Sequence, residues 1–251
     1  MATFLIAHGA WSGGWAWAGM RMRLRAAGHE LFTPTYTGLG ERAHLASPAI
    51  DLETHVQDLL GVLLCEDLRD VVLVGHSYGG MVITGVADRA PERLARLVYL
   101  DAFVPRDGES LFDLVPHENR AAMRARAAAE GDGWRLPPNP LPEETDPEVV
   151  RVITARLAPQ PLRTFEQPLR LARGEPALPR TFVFCTRSDA GDVFRPFAER
   201  ARREPGWQHL ELDATHIPHL VAPDLLARLL DAVARDAAPR HAAPSPRPPA
   251  S

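Results

Sequence analysis

Short apolar runs alternate with segments of helical spacing along the first hundred residues. The apolar runs predict buried strands at residues 3–7, 29–33, 71–74 and 96–102. Between them, apolar positions recur at helical spacing over residues 15–27, 51–65 and 79–88. Strands that alternate with helices at this spacing favour a doubly wound, mostly parallel α/β sheet with right-handed crossovers.

This rhythm breaks over residues 104–179, where helical pieces at 119–130 and 147–157 are separated by proline-rich loops. We interpret this stretch as a small helical cap inserted into an α/β domain of residues 1–237. The alternation then resumes with strands at 181–185 and 208–212 and helices at 194–203 and 218–234. The last segment, 238–251, is dominated by Ala, Pro, Arg and Ser, a composition that predicts disorder.

One motif carries a chemical prediction. Gly75-His76-Ser77-Tyr78-Gly79 follows an apolar strand and opens a helix, which is the pattern of a nucleophile elbow. The glycines allow a sharp turn that presents the Ser77 hydroxyl above the carboxyl edge of the sheet. The helix N-terminus beside it favours a developing negative charge. This pattern predicts acyl-transfer chemistry at Ser77.

A serine nucleophile needs a base, and His216 is the predicted one. It lies between the last strand and the last helix, where its imidazole can return to the carboxyl edge of the sheet. His219 is a competitor, but its place in the following helix favours a packing or pocket role. A metal pair formed by the two histidines is not expected, because no third ligand lies nearby.

The residue that orients the histidine is open among three aspartates. Asp189 is preferred, because it lies nearest the end of the 181–185 strand. Asp192 is an alternative, although it stands where it can cap the next helix. Asp101 is the other alternative, because it ends the strand that follows the elbow helix and can also reach the histidine.

The oxyanion hole and the pocket can be predicted from the same topology. The loop His8-Gly9-Ala10-Trp11 follows the first strand, beside the elbow. The backbone N–H groups of Ala10 and Tyr78 are therefore the expected oxyanion donors. Four aromatic residues are expected to form the substrate pocket: Trp11, Phe112, Trp134 and Phe165.

Composition narrows the function further. All 28 basic residues are arginine, so no lysine Schiff base can form. A formal net charge of −4 gives no case for nucleic acid or an acidic membrane as partner. Two cysteines without paired spacing, and a start without a basic region or cleavage site, predict a reduced, cytoplasmic protein. We expect a small-molecule partner and no metal or cofactor, and a homodimer is allowed.

With these residues in place, the chain resembles the α/β-hydrolase superfamily over its first 236 or so residues. It is most similar to the plant methylesterase and hydroxynitrile lyase branch and its bacterial esterase relatives. The similarity lies in His8-Gly9-Ala10-Trp11-x-Gly-Gly-Trp15, in the Thr-Gly-Leu-Gly-Glu-Arg motif of residues 37–42, and in residues 75–80. The branch implies a helical cap, no cofactor, and small esters or related carbonyl compounds as substrates.

The resemblance also distinguishes the lyases of this branch from its esterases. The lyases carry Thr in place of Ala10 and Lys directly after the catalytic histidine, whereas this chain has Ile217 there. Cyanohydrin cleavage is therefore not expected. Many bacterial relatives of this kind serve natural-product pathways, which suggests a polyketide-like ester or lactone by analogy.

The sequence thus predicts a serine hydrolase that cleaves a small, largely apolar ester or lactone through a Ser-His-Asp triad and an acyl-enzyme. One alternative is a lyase, cyclase or epoxide-opening enzyme on the same scaffold, in which Ser77 only positions the substrate. The other is a ligand-binding protein that kept the elbow for its fold.

Overall fold

One parallel sheet forms the centre of the computed structural model, which describes residues 1–141, 145–187 and 192–236. The strands are β1 (Thr3–Ala7), β2 (Glu30–Phe32), β3 (Val71–Ser77), β4 (Leu94–Ala102), β5 (Arg135–Leu136), β6 (Gln160–Pro161), β7 (Arg180–Cys185) and β8 (Trp207–Leu212). Six of them are hydrogen-bonded in the order β2-β1-β3-β4-β7-β8, and every neighbouring pair is parallel. The predicted α/β class and doubly wound parallel sheet are confirmed.

Helices connect the strands. They are α1 (Ala18–Ala26), α2 (Leu52–Cys65), α3 (Gly79–Arg89), α4 (His117–Glu130), α5 (Pro147–Thr154), α6 (Arg163–Glu166), α7 (Arg195–Arg203), α8 (Pro218–Val221) and α9 (Pro223–Asp236). The single helix predicted over 218–234 is wrong, because the chain breaks at Pro223, which has no N–H to continue the helical ladder. No helix in the described ranges is long and apolar enough to cross a membrane.

The core lies on both faces of the sheet. Successive side chains of β3 point to opposite faces, so Val71 and Leu73 join one apolar cluster while Val72 and Val74 join the other. The first cluster includes side chains of α2, α3 and α7, and the second includes side chains of α1 and α9. Because both faces are covered, the central strands β1 and β3 are buried along almost their whole length rather than at alternate positions.

The chain leaves the sheet between β4 and β7 and forms an insertion of residues 103–179, of which 142–144 lie outside the described residues. It contains α4, α5, α6 and the antiparallel pair of β5 and β6. Gln167 fixes it to the start of α2, because its side chain accepts the N–H of Glu53 at 2.7 Å and donates to Asp51 at 3.1 Å. The predicted tail, 238–251, also lies outside the described residues.

Candidate active site

The elbow serine ends β3 in a strained backbone conformation. Ser77 has φ of 56°, a value that residues other than glycine rarely adopt, and its side chain is only half-buried. The glycines around it are required by close packing. A Cβ on Gly79 would lie 2.1 Å from the carbonyl oxygen of Ala7, and one on Gly75 would lie 2.7 Å from that of Gly79. The strand-turn-helix therefore presents the hydroxyl at the carboxyl edge of the sheet.

His216 is paired with a carboxylate at that edge. Its Nδ1 donates to Asp101 Oδ2 at 2.7 Å, and the other carboxylate oxygen of Asp101 accepts the N–H of Cys185 at 3.2 Å. Asp101 is 1% exposed and has φ of 43° at the end of β4. A buried carboxylate on Nδ1 fixes the ring so that Nε2 is free to act as a base.

Of the two other candidate acids, the structure describes Asp192, which has a different role. Asp192 accepts the N–H groups of Phe194 at 2.8 Å and Arg195 at 3.3 Å, so its carboxylate caps the start of α7. Asp189 lies outside the described residues. Nearby, burial and then Asp101 raise the pKa of the Cys185 thiol, so this thiol stays protonated and is a poor nucleophile.

The loop after β1 meets the elbow from the side. Ala10 and Tyr78 both line the same cavity as Ser77. Neither of their N–H groups donates a hydrogen bond to another residue in the described ranges. Trp11, with φ of 62°, instead donates its N–H to Gln160 at 3.0 Å and its indole N–H to the carbonyl of Leu136 at 2.9 Å. The insertion therefore holds the loop in place.

Two buried histidines, His8 and His55, stabilise the loops of the site through hydrogen bonds. His8 donates through Nδ1 to the carbonyl of Gly9 at 2.8 Å and accepts the N–H of Tyr36 through Nε2 at 3.2 Å. His55 bridges the Tyr78 hydroxyl at 3.0 Å and the carbonyl of Thr37 at 3.1 Å. Burial lowers the pKa of His8 to about 4 and that of His55 to about 3, so both are neutral at pH 7.

His76 joins the loop that carries His216 to the loop after β1. His76 donates from Nε2 to the carbonyl of His216 at 2.7 Å, and the two rings lie 4.7 Å apart. On its other side, a Cβ added to Gly9 would lie 2.9 Å from Nδ1 of His76. Burial, with smaller effects of the neighbouring His216 and His219, lowers the pKa of His76 well below its usual range. A neutral, packed imidazole therefore links three loops of the site.

The cavity above Ser77 has a volume of about 530 Å³ and is mainly apolar. Trp11 and Phe165 line it, as predicted, and their rings pack edge to face at 6.0 Å. Phe112 and Trp134 are not among its lining residues. Phe112 packs behind Phe165, with ring centroids 6.1 Å apart, and Trp134 lies under the guanidinium of Arg135. The neighbouring Leu111 faces the cavity instead.

The motif of residues 37–42 has a structural role. Asp58, on α2, accepts the N–H of Thr37 at 2.7 Å, its hydroxyl at 2.8 Å and the guanidinium of Arg42 at 3.0 Å. None of these residues lines the cavity in the part of the chain that the structure describes. The motif therefore stabilises the loop that holds His8 and His55, and it supplies no group for chemistry.

Sequence reasoning missed two residues at the site. Gln160 is fully buried and joins Trp11 to the hydroxyl of Thr164. Phe194 stacks on His216 at 4.7 Å with an interplanar angle of 10°. A glutamine in a proline-rich loop gives no signal of such a role, whereas the aromatic residue beside the helix cap at Asp192 could have suggested the stacking partner. No cluster of His, Cys, Asp or Glu suited to a metal ion occurs within the described ranges.

Comparison with known proteins shows which family the chain belongs to. A model of the alpha/beta hydrolase family matches residues 4–229. A carbendazim-hydrolysing esterase of Nocardioides sp. (strain SG-4G) is 43% identical over 242 residues, which are 93% of this chain and 100% of that protein. Salicylic acid-binding protein 2 of Nicotiana tabacum is 32% identical over 104 residues, which are 41% of this chain and 40% of that protein.

Solved structures show the same fold. An extracellular alpha/beta-hydrolase from a Paenibacillus species has a TM-score of 0.82 at 23% identity, with coverage of 92% of this chain and 98% of that one. A methylesterase from Arabidopsis has a TM-score of 0.74 at 24% identity, with coverage of 94% and 100%. The chain belongs to the alpha/beta hydrolase family, and it is an esterase of that family.

Proposed function

We propose that this esterase works through a triad of Ser77, His216 and Asp101, with the backbone N–H groups of Ala10 and Tyr78 as the oxyanion hole. The observation that carries the proposal is the 2.7 Å hydrogen bond from His216 Nδ1 to the buried carboxylate of Asp101, in the cavity that Ser77 also lines. Because Nδ1 is occupied by this bond, we assign the acid to Asp101, one of the two alternatives from the sequence analysis, rather than to the preferred Asp189.

The roles follow from the geometry. His216 Nε2 accepts the proton of Ser77 as the hydroxyl oxygen attacks the ester carbonyl. Asp101 stabilises the imidazolium that forms, because its carboxylate is 1% exposed and lies on the opposite ring nitrogen. The unpaired N–H groups of Ala10 and Tyr78 receive the oxyanion, and each such donor is worth about 3 kcal/mol in the transition state. His216 then protonates the leaving alcohol, and water repeats the sequence to release the acid.

The substrate we propose is a small, uncharged and largely apolar ester or lactone. No Asp, Glu or Arg side chain lines the cavity within the described residues, and the lining includes Leu111, Val115, Ile153, Leu157 and Phe165. An ionised substrate would lose its hydration there without gaining a counter-charge. The relatives named for carbendazim hydrolysis and methyl-ester cleavage are consistent with this class. A role in natural-product metabolism, a cytoplasmic location and a homodimer stay predictions from the sequence.

The test combines covalent labelling with turnover. We expect a fluorophosphonate to add one adduct to the protein, on Ser77, and p-nitrophenyl butyrate to be hydrolysed. Ser77→Ala should lose the adduct and about 10⁴-fold or more in kcat. Ser12→Ala is the matched control, because Ser12 lines the same cavity, and it should keep the adduct. Turnover that survives in Ser77→Ala would overturn the serine mechanism, whereas a wild type with neither adduct nor turnover would favour the non-hydrolytic or ligand-binding alternative.

A further inference from the structure

A second cavity adjoins the one above Ser77. It has a volume of about 400 Å³ and lies between α5 of the insertion and residues of α1 and α8. Among the described residues, three side chains line both cavities, namely Ile153 from α5 and His219 and Leu220 from α8. His219 is the polar member of this shared wall, and the proposed triad does not use it.

The ring of His219 is held by stacking alone. It lies parallel to the indole of Trp17 at 4.5 Å and meets the ring of His76 edge-on at 4.8 Å. His219 is 4% exposed, yet no residue in the described ranges hydrogen-bonds either of its nitrogens, and Nδ1 is fully enclosed. Buried polar side chains in proteins normally have a partner. An unpaired imidazole on a cavity wall therefore indicates that a ligand supplies the partner.

The protonation state of His219 determines whether its ring nitrogens need a donor or an acceptor as hydrogen-bond partner. Burial, with smaller effects of His216 and His8, lowers the pKa of His219 to about 3, so its imidazole is neutral at pH 7. A neutral imidazole has one donor and one acceptor nitrogen. An enclosed N–H without an acceptor is rarer in proteins than an enclosed acceptor without a donor. The enclosed Nδ1 is then the acceptor, and the N–H lies on Nε2, which is not fully enclosed and belongs to a side chain that lines both cavities.

We propose that His219 is a substrate-binding residue whose Nε2–H donates a hydrogen bond to an uncharged acceptor atom in the ester's acyl or alcohol group. The substrate class is therefore narrower than a purely apolar ester. It comprises neutral esters with a ring nitrogen, ether or second carbonyl oxygen away from the scissile bond. This inference rests on the proposed function, because it takes the Ser77 cavity as the place where the ester binds.

The test compares esters that differ by one ring atom. The acyl side is probed by methyl benzoate against the three methyl pyridinecarboxylates, and the alcohol side by phenyl acetate against the three pyridyl acetates. Each kcat/KM is measured in the wild type and in His219→Phe, which keeps a ring on Trp17 and removes the N–H. Taking the ratio of variant to wild type for each ester cancels its intrinsic reactivity.

We expect His219→Phe to lower kcat/KM for at least one pyridine ester by about five- to tenfold more than for its benzene counterpart, since one neutral hydrogen bond is lost. His219→Gln, which restores a donor, should recover part of this difference. The matched control is Ile153→Val, on the same wall, which should change both members of each pair by the same factor. Equal changes for all pyridine and benzene esters in His219→Phe would overturn the proposal.

Measurements of ester binding test the role of His219 independently of the proposed triad. In Ser77→Ala, which cannot form the acyl-enzyme, the pyridine ester favoured by turnover should bind more tightly than its benzene counterpart, and adding His219→Phe should abolish the difference. Equal binding of the two esters in Ser77→Ala would contradict the role of His219 while leaving the triad untouched. Thermal melting of each variant identifies any that fails to fold.

Discussion

The carboxyl edge of the sheet and the insertion form opposite walls of one cavity by different means. The sheet edge holds its groups rigidly, since Ser77 and Asp101 have φ values of 56° and 43° and Asp101 is 1% exposed. Such conformations persist only where the surrounding structure enforces them. The insertion contributes apolar side chains from helices and loops, such as Leu111 and Met123. The comparison leads to a hypothesis that the predictions below test: the sheet edge supplies the proposed catalytic groups, and the insertion selects which ester fits.

The largest effect should come from the sheet side. Asp101→Asn should lower kcat by about 10³- to 10⁴-fold, because a neutral amide neither stabilises the imidazolium nor fixes the tautomer of His216. The decisive measurement is kcat with p-nitrophenyl butyrate beside thermal melting. Asp192→Asn is the matched control and should cost less than tenfold in kcat, since Asp192 caps α7. A larger loss in Asp192→Asn or Asp189→Asn would assign the acid to the loop after β7.

The second largest effect should come from low pH, which should lower the free energy of unfolding through buried histidines on the sheet side. The pKa values of His8, His55 and His219 are lowered to about 4, 3 and 3, so the unfolded state binds more protons below pH 6.5. Their stabilising contribution is complete above pH 6.5 and is lost as the pH falls toward these values. Each group should cost about 1.4 kcal/mol per pH unit in this window, which is about 2 kcal/mol at pH 5.

Urea unfolding at pH 7.5, 6 and 5 measures this loss. His55→Gln can still accept from Tyr78 and donate to Thr37, yet it does not titrate, so its free energy of unfolding should fall less steeply with acid than that of the wild type. His117→Gln, at an exposed position on α4 of the insertion, controls for the substitution itself. An unchanged slope in His55→Gln would show that His55 does not make this contribution.

The contrast between the sheet edge and the insertion also explains which features could be predicted from the sequence. The elbow is a local pattern, because Gly75 and Gly79 are required by contacts within a few residues or with the neighbouring strand. The place of Ser77 followed from it, whereas the fold followed from the alternation of strands and helices, and the place of His216 from its position between the last strand and the last helix. The carboxylate partner of His216 was harder to predict. Asp101 lies on β4 and His216 follows β8, and β7 lies between these two strands, so their contact leaves no periodic pattern in the sequence. In the insertion, a three-residue turn of Leu111–Asp113 has too little periodicity to show that Leu111 rather than Phe112 faces the cavity.

A smaller effect on the sheet side should come from His76, which we expect to position the base. His76→Phe keeps a ring beside His216 but loses the 2.7 Å hydrogen bond to its carbonyl. We expect kcat to fall about five- to tenfold with little change in KM, since one hydrogen bond is worth about 1 kcal/mol. His76→Gln should restore part of kcat through its amide donor. A rise in KM with kcat unchanged would instead indicate that His76 contacts substrate.

The smallest effect should come from the insertion. Met123, on α4, is half-buried and lines the cavity, so Met123→Ala should make room for a longer acyl chain. The ratio of kcat/KM for p-nitrophenyl hexanoate to that for the acetate should rise about three- to tenfold, because each methylene that becomes buried is worth about 0.8 kcal/mol. Met22→Ala is the control, since Met22 is 68% exposed on α1. An unchanged ratio in Met123→Ala would mean that the sheet edge, rather than α4, limits the length of the ester. The hypothesis that the insertion selects the substrate would then be wrong at this position.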